Sequence, residues 1–230
     1  MTTSFRFLFF MRYIFTLLFF CAMLNATGQT SFEGKINYDV HMPGEAKPAK
    51  LILSFGTNKI KMEFIMPGKT FDNDYAIIDL NSGNVYNMNV RDKSYETRPL
   101  QKNAALASQQ GKVIMGHPTT LILQQPVKIN PDDEFLSSLN NGIFYVANDL
   151  YYAIPEAYVG NPILLMVKNG KLVLGAEIEL SGMSLNSTIN MEGGQNKSRA
   201  TVMATSIVAL PLDATALAVP EGYINKSLKN

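Results

Sequence analysis

Lys35-Ile36-Asn37-Tyr38-Asp39-Val40-His41-Met42 alternates polar and apolar residues at every step. Successive side chains of a strand point to opposite faces, so a period of two marks a strand with one face buried. The pattern recurs. Leu51, Leu53 and Phe55 repeat it, and so do Met62, Phe64 and Met66. Ile78 and Leu80 end a fourth strand at the turn Asn81-Ser82-Gly83-Asn84, and Tyr86, Met88 and Val90 make a fifth. Arg91-Asp92-Lys93-Ser94 leads into a sixth around Tyr95 and Thr97. Short strands joined by Asn, Gly and Asp turns pair with their sequence neighbours, which predicts an antiparallel meander.

The middle of the chain changes character. Gln101 to Gln110 lacks alternation, is rich in Ala, Gln and Leu, and stops at Gly111, which predicts a short helix. Asn130-Pro131-Asp132-Asp133 predicts a second helix: a cap, a proline at the first position, and two carboxylates at the positive end of the dipole. Phe135, Leu136 and Leu139 give it an apolar face, and Asn141-Gly142 ends it. Strand patterning returns from Gly142 to Ala147, whereas the Tyr-rich stretch from Asn148 to Gly160 supports no assignment. Beyond Pro162, Ile163 to Lys168 meets Asn169-Gly170, the best hairpin turn in the chain, because both residues tolerate positive φ. Lys171 to Leu180, a segment around Leu185 to Met191, and Thr201 to Leu210 complete the expected strands.

Residues 1–28 carry an address. Arg6 and Arg12 precede an apolar run from Tyr13 to Leu24, and small residues follow at Ala26 and Gly28. That order matches an export signal, with a cut expected after Gly28 or, alternatively, Ala26. The apolar core is too short for a permanent membrane helix, although an uncleaved anchor from Phe5 to Leu24 is the competing reading. Cys21, the single cysteine, lies in this segment, and the bulky Phe20 before it argues against lipidation. The expected organisation is a signal peptide over 1–28 and one β-rich domain over 29–230, periplasmic or extracellular after cleavage.

Removing the signal takes Lys and Arg from 20 to 18 against 19 Asp and Glu. No basic stripe is present to follow phosphates, so nucleic acid is not an expected partner. No later apolar stretch is long enough to cross a membrane. Catalytic ingredients are sparse. His41 and His117 are isolated from each other and from other ligand types, and no nucleophile elbow or phosphate loop occurs. Asp132-Asp133-Glu134 lacks the spacing of a calcium loop and reads as helix N-terminal charge. No cofactor, metal or catalytic residue is therefore expected. Soft apolar content stands out instead: nine of the 12 methionines lie beyond the signal. Met62, Phe64, Met66, Ile78, Tyr86 and Met88 form a stripe able to repack around apolar ligands, or else an ordinary core that uses Met as filler.

Several segments together resemble an exported bacterial family known as domain of unknown function 4412. They are Phe32 to Tyr38, Ala76 to Leu80 with Val85 to Met88, Tyr95-Glu96, the turn at Gly116 feeding Thr119 to Leu123, Gly142 to Leu150, Gly160 to Ile163, and Val219 to Tyr223. Lys61-Met62-Glu63 and His117-Pro118-Thr119-Thr120 depart from the family's pattern. The resemblance implies an architecture similar to periplasmic lipoprotein carriers of the LolA/LolB type. That is a mainly β (α+β) fold: a curved antiparallel meander, partly closed as a half-barrel, with two or three short helices and an apolar cavity. Two functions fit. One is a non-enzymatic envelope protein that takes an apolar small molecule, lipid, acyl chain or lipoprotein into a sheet-lined cavity. The other is a structural or protein-interaction module with a filled core.

Overall fold

The period-two segments pair in chain order. In the computed structural model, which describes residues 30–68, 74–100, 108–124, 142–161, 163–180 and 198–228, strands predominate. The first six are β1 (Gly34–His41), β2 (Ala49–Gly56), β3 (Lys59–Ile65), β4 (Tyr75–Asp79), β5 (Asn84–Asn89) and β6 (Ser94–Pro99). A second run holds β7 (Ser108–Ile114), β8 (His117–Gln124), β9 (Gly142–Tyr151), β10 (Val167–Lys168), β11 (Lys171–Leu180) and β12 (Ser198–Ala209). β13 (Ile224–Asn225) is a short return strand. The sheet order is β13-β6-β5-β4-β3-β2-β1-β12-β11-β9-β8-β7, with β10 attached to β11. Two antiparallel meanders thus share one curved, unclosed sheet, joined where β1 pairs with β12. β13 runs parallel to β6 and is the exception to the antiparallel pattern.

Residues Ser31–Asn230 form one compact unit. Close approach at the β1–β12 seam requires glycine at position 34, where a Cβ would lie 2.1 Å from the Val208 carbonyl oxygen. At the β10–β11 hairpin Asn169 has φ 52° and Gly170 φ 72°, the left-handed pair that a two-residue turn needs.

The helix expectations are corrected in part. Among the described residues the helical pieces are three short 3₁₀ turns, Glu156–Tyr158, Ala214–Leu217 and Lys226–Leu228. Ser108 to Gln110, the end of the first expected helix, are strand residues of β7, because their backbone pairs with Thr120 to Ile122 of β8. Pairing with a neighbouring hairpin overrides a weak helix propensity. The remainder of that segment, the helix expected at Asn130 and the strand around Leu185 to Met191 lie outside the described residues, as does the export signal. None of the helices among the described residues is long and apolar enough to cross a membrane.

One face of the sheet carries the core. Paired residues in an antiparallel ladder share a face. From β1 to β4 the buried face runs Ile36, Tyr38 and Val40, then Leu51, Leu53 and Phe55, then Ile60, then Ala76 and Ile78. It continues into Val202 and Ala204 of β12 and Ala176 and Ile178 of β11. The segment after β9 crosses one end of this face. Tyr152 is fully buried, packs edge-to-face on Phe55 at 5.1 Å, and donates its hydroxyl to the carbonyls of Gly56 and Lys59 at 2.8 and 3.0 Å. Burial pushes its hydroxyl pKa far up, so it stays a donor. Leu164, Met166 and Val167 complete the plug. Tyr38 ties β1 to the opposite meander by donating to the Val173 carbonyl at 2.8 Å.

Candidate functional site

At the other end of the same face a cavity of about 550 Å³ lies against the sheet. Its walls follow from strand alternation. Val40, Leu51, Met62 and Phe64 come from β1 to β3, Ile178 from β11, and Ala200 and Val202 from β12. Met42, just past β1, and Leu165, from the plug, add to the apolar wall. The volume lies within the range of small-molecule sites, roughly 300–1,000 Å³.

The lining changes character across the sheet. On the β4 to β6 side it becomes polar: Asp74, Asn87, Asn89, Ser94 and Glu96, with Lys226 after β13. Asp74, Asn87, Glu96 and Lys226 are exposed, so this side is the watery mouth. Its charges are mostly engaged. Lys226 Nζ lies 3.1 Å from Asp92, Arg98 lies 3.7 Å from Glu96, and Asp74 accepts the Val90 amide at 3.0 Å. The mouth and the apolar wall together make an amphipathic container.

Of the six residues expected to line a cavity, Met62, Phe64 and Met88 do so. Phe64 remains 41% exposed, a large aromatic left uncovered on the core face. Met66 is half-buried against the core, and Ile78 is buried within it. Tyr86 is a correction. Ile78 pairs with Val85, so Tyr86 and Met88 belong by register to the opposite face, with Ile77, Tyr75 and Tyr95. Tyr86 packs edge-to-face on Tyr95 at 5.9 Å there. Met88 borders the cavity together with Tyr75 and Tyr95, where β4, β5 and β6 end.

Two further features escaped the sequence reading. Lys168, beside the Asn-Gly turn, is fully buried, with its ammonium 4.7 Å above the Phe144 ring and no hydrogen-bond partner among the described residues. Desolvation lowers its pKa from 10.5 to about 7. It does not line the cavity. His117 meets Asp149 at 2.8 Å across the β8–β9 pair, a contact that neither residue's sequence neighbours predicted. His41 is exposed at the end of β1. Among the described residues no three His, Cys, Asp or Glu side chains gather into a metal-binding group.

Comparisons with known proteins assign no function. No family model and no curated protein matches the chain. Among solved structures, the crystal structure of an uncharacterized conserved protein from Thermus thermophilus is similar at 11% identity. The match covers 84% of this chain and 90% of that one, with a TM-score of 0.44.

Proposed function

We propose that this chain is a non-enzymatic, exported envelope protein that holds an apolar ligand, a lipid or the acyl chain of a lipoprotein, in the sheet-lined cavity. The observation that carries this reading is the cavity with an apolar wall against the core face. Alternation makes one face apolar from β11 to β3, yet the plug covers one end and leaves about 550 Å³ at the other. A ligand that covers the accessible apolar part of the wall, where Phe64 is 41% exposed, gains roughly 25 cal/mol per Å² of apolar area removed from water. Methionines at 42, 62 and 88 supply adaptable walls. The export pattern of residues 1–28 and the resemblance to the domain of unknown function 4412 family support placement in the envelope.

The test is titration with N-phenyl-1-naphthylamine, an uncharged apolar fluorophore. Enhanced emission that saturates at one probe per chain, and that Met62→Trp weakens about tenfold without lowering the unfolding midpoint, supports the cavity. Absence of saturable binding overturns it.

A second reading has its own observation. β7 ends the sheet, and Val113, Met115 and Leu123 near that edge are 67%, 47% and 55% exposed. Such an edge suits a protein partner that adds a strand.

A further inference from the structure

The cavity's polar side points to the head group of its ligand. Resting on the cavity reading above, we infer that the ligand is an amphiphile whose head donates hydrogen bonds and bears no negative charge. Its chain lies against β1 to β3, β11 and β12, and its head sits at β5 and β6.

Most of the apolar wall is buried, at Val40, Leu51, Ile178, Ala200 and Val202, and Phe64 is its exposed member. Asp74, Asn87, Glu96 and Lys226 are exposed, so the lining grades from an apolar wall to a charged, water-facing side. A molecule matching that gradient has one apolar and one hydrated end. Two carboxylates supply strong acceptors at the wet end. They are Asp74 and Glu96, both exposed. Among the described lining residues the charged side chains are Asp74, Glu96 and Lys226, which leaves one negative charge in excess, and Lys226 is shared with Asp92 at 3.1 Å. Arg91 and Lys93, in the adjoining turn, are not lining residues. A carboxylate or phosphate head would lose water beside Asp74 and Glu96 and meet like charge. A hydroxyl or ammonium would instead donate to these oxygens, and bonds to ionised acceptors are the stronger kind.

The experiment is displacement of bound N-phenyl-1-naphthylamine by two ligands with the same chain, monopalmitoylglycerol and palmitate, on the wild type and on Asp74→Asn/Glu96→Gln. Both substitutions keep shape and remove charge. The expected result is displacement by monopalmitoylglycerol at a concentration about tenfold lower than by palmitate, with the gap shrinking to about threefold or less in the double variant. Palmitate displacing as well as or better than monopalmitoylglycerol overturns the head-group assignment and leaves the cavity reading intact. A gap unchanged in the double variant also overturns it, because the head would then sit elsewhere. Failure of the fluorophore itself to bind removes the cavity reading and this inference together.

Discussion

Phe55 and Phe64 stand on the same face of the same sheet, on neighbouring strands, in opposite circumstances. Phe55 is fully buried, with Phe32 edge-on at 5.7 Å and Tyr152 at 5.1 Å. Phe64, at the other end, is 41% exposed and borders the cavity. Alternation made both core-facing; what separates them is the segment that follows β9. Among the described residues this segment packs on the face at Phe55, while the cavity lies against the face at Phe64. The plugged end supplies stability, and under the proposed function the cavity end takes the ligand.

Phe55→Ala tests the plugged end and is expected to cost roughly 3–5 kcal/mol, since the void has no room to collapse between two aromatic rings. Urea unfolding measures it; a loss below about 1 kcal/mol would mean that the plug does not pack as described.

Lys168→Met should shift stability in the opposite direction. The lysine's pKa is 10.5 in the unfolded chain and about 7 when folded. Between those values the unfolded chain binds the extra proton, so lowering the pH removes stability, and below about 7 the loss is complete. The variant is therefore expected to be more stable than wild type at pH 6.5 by a few kcal/mol, with the advantage shrinking toward pH 9.5. Unfolding curves at the two pH values check it, and a difference independent of pH would contradict a buried, unpartnered amine.

Tyr152→Phe keeps the ring and removes the hydroxyl that serves the Gly56 and Lys59 carbonyls. The loss is expected at about 1–3 kcal/mol, the cost of leaving buried acceptors without their donor. A null effect would place water at the β2–β3 turn.

Phe64→Ala gives the smallest stability change, about 1 kcal/mol or less, because a partly exposed ring leaves no sealed void. Probe affinity should fall nonetheless. Equal losses for Phe55→Ala and Phe64→Ala would erase the distinction between the two ends.

Much of this arrangement was legible in the sequence, because alternation and turn chemistry are local. Ile36 to Met42, the Asn169-Gly170 turn and Lys171 to Leu180 are where the pattern placed them, apart from a residue or two at strand ends, whereas of the strand expected over Ile163 to Lys168 only Val167–Lys168 pairs. Faces were harder to read. In β5 the apolar residues Tyr86 and Met88 outweigh Val85, Asn87 and Asn89, yet pairing of Ile78 with Val85 turns the polar set inward. The hairpin's register decides, and a one-residue offset exchanges every face. That exchange gives the cavity its polar mouth. The plug was illegible for a different reason. Asn148 to Gly160 supports no assignment from pattern, Ile163 to Met166 reads as strand but forms turns, and the plug's role rests on partners such as Gly56, about a hundred positions away in the chain. Burial of Lys168 is equally non-local, since next to an Asn-Gly turn a lysine reads as a surface residue.

The most direct test uses the methionines as reporters. Methyl NMR of protein labelled at Met Cε, titrated with N-phenyl-1-naphthylamine, should shift Met42 and Met62 of the open end and saturate at one equivalent. Met166, buried in the plug, and Met115, at the exposed β7 edge, should stay unmoved. Shifts at Met115 with none at Met42 and Met62 would contradict the account, placing the apolar contact at the sheet edge and leaving the cavity without a ligand.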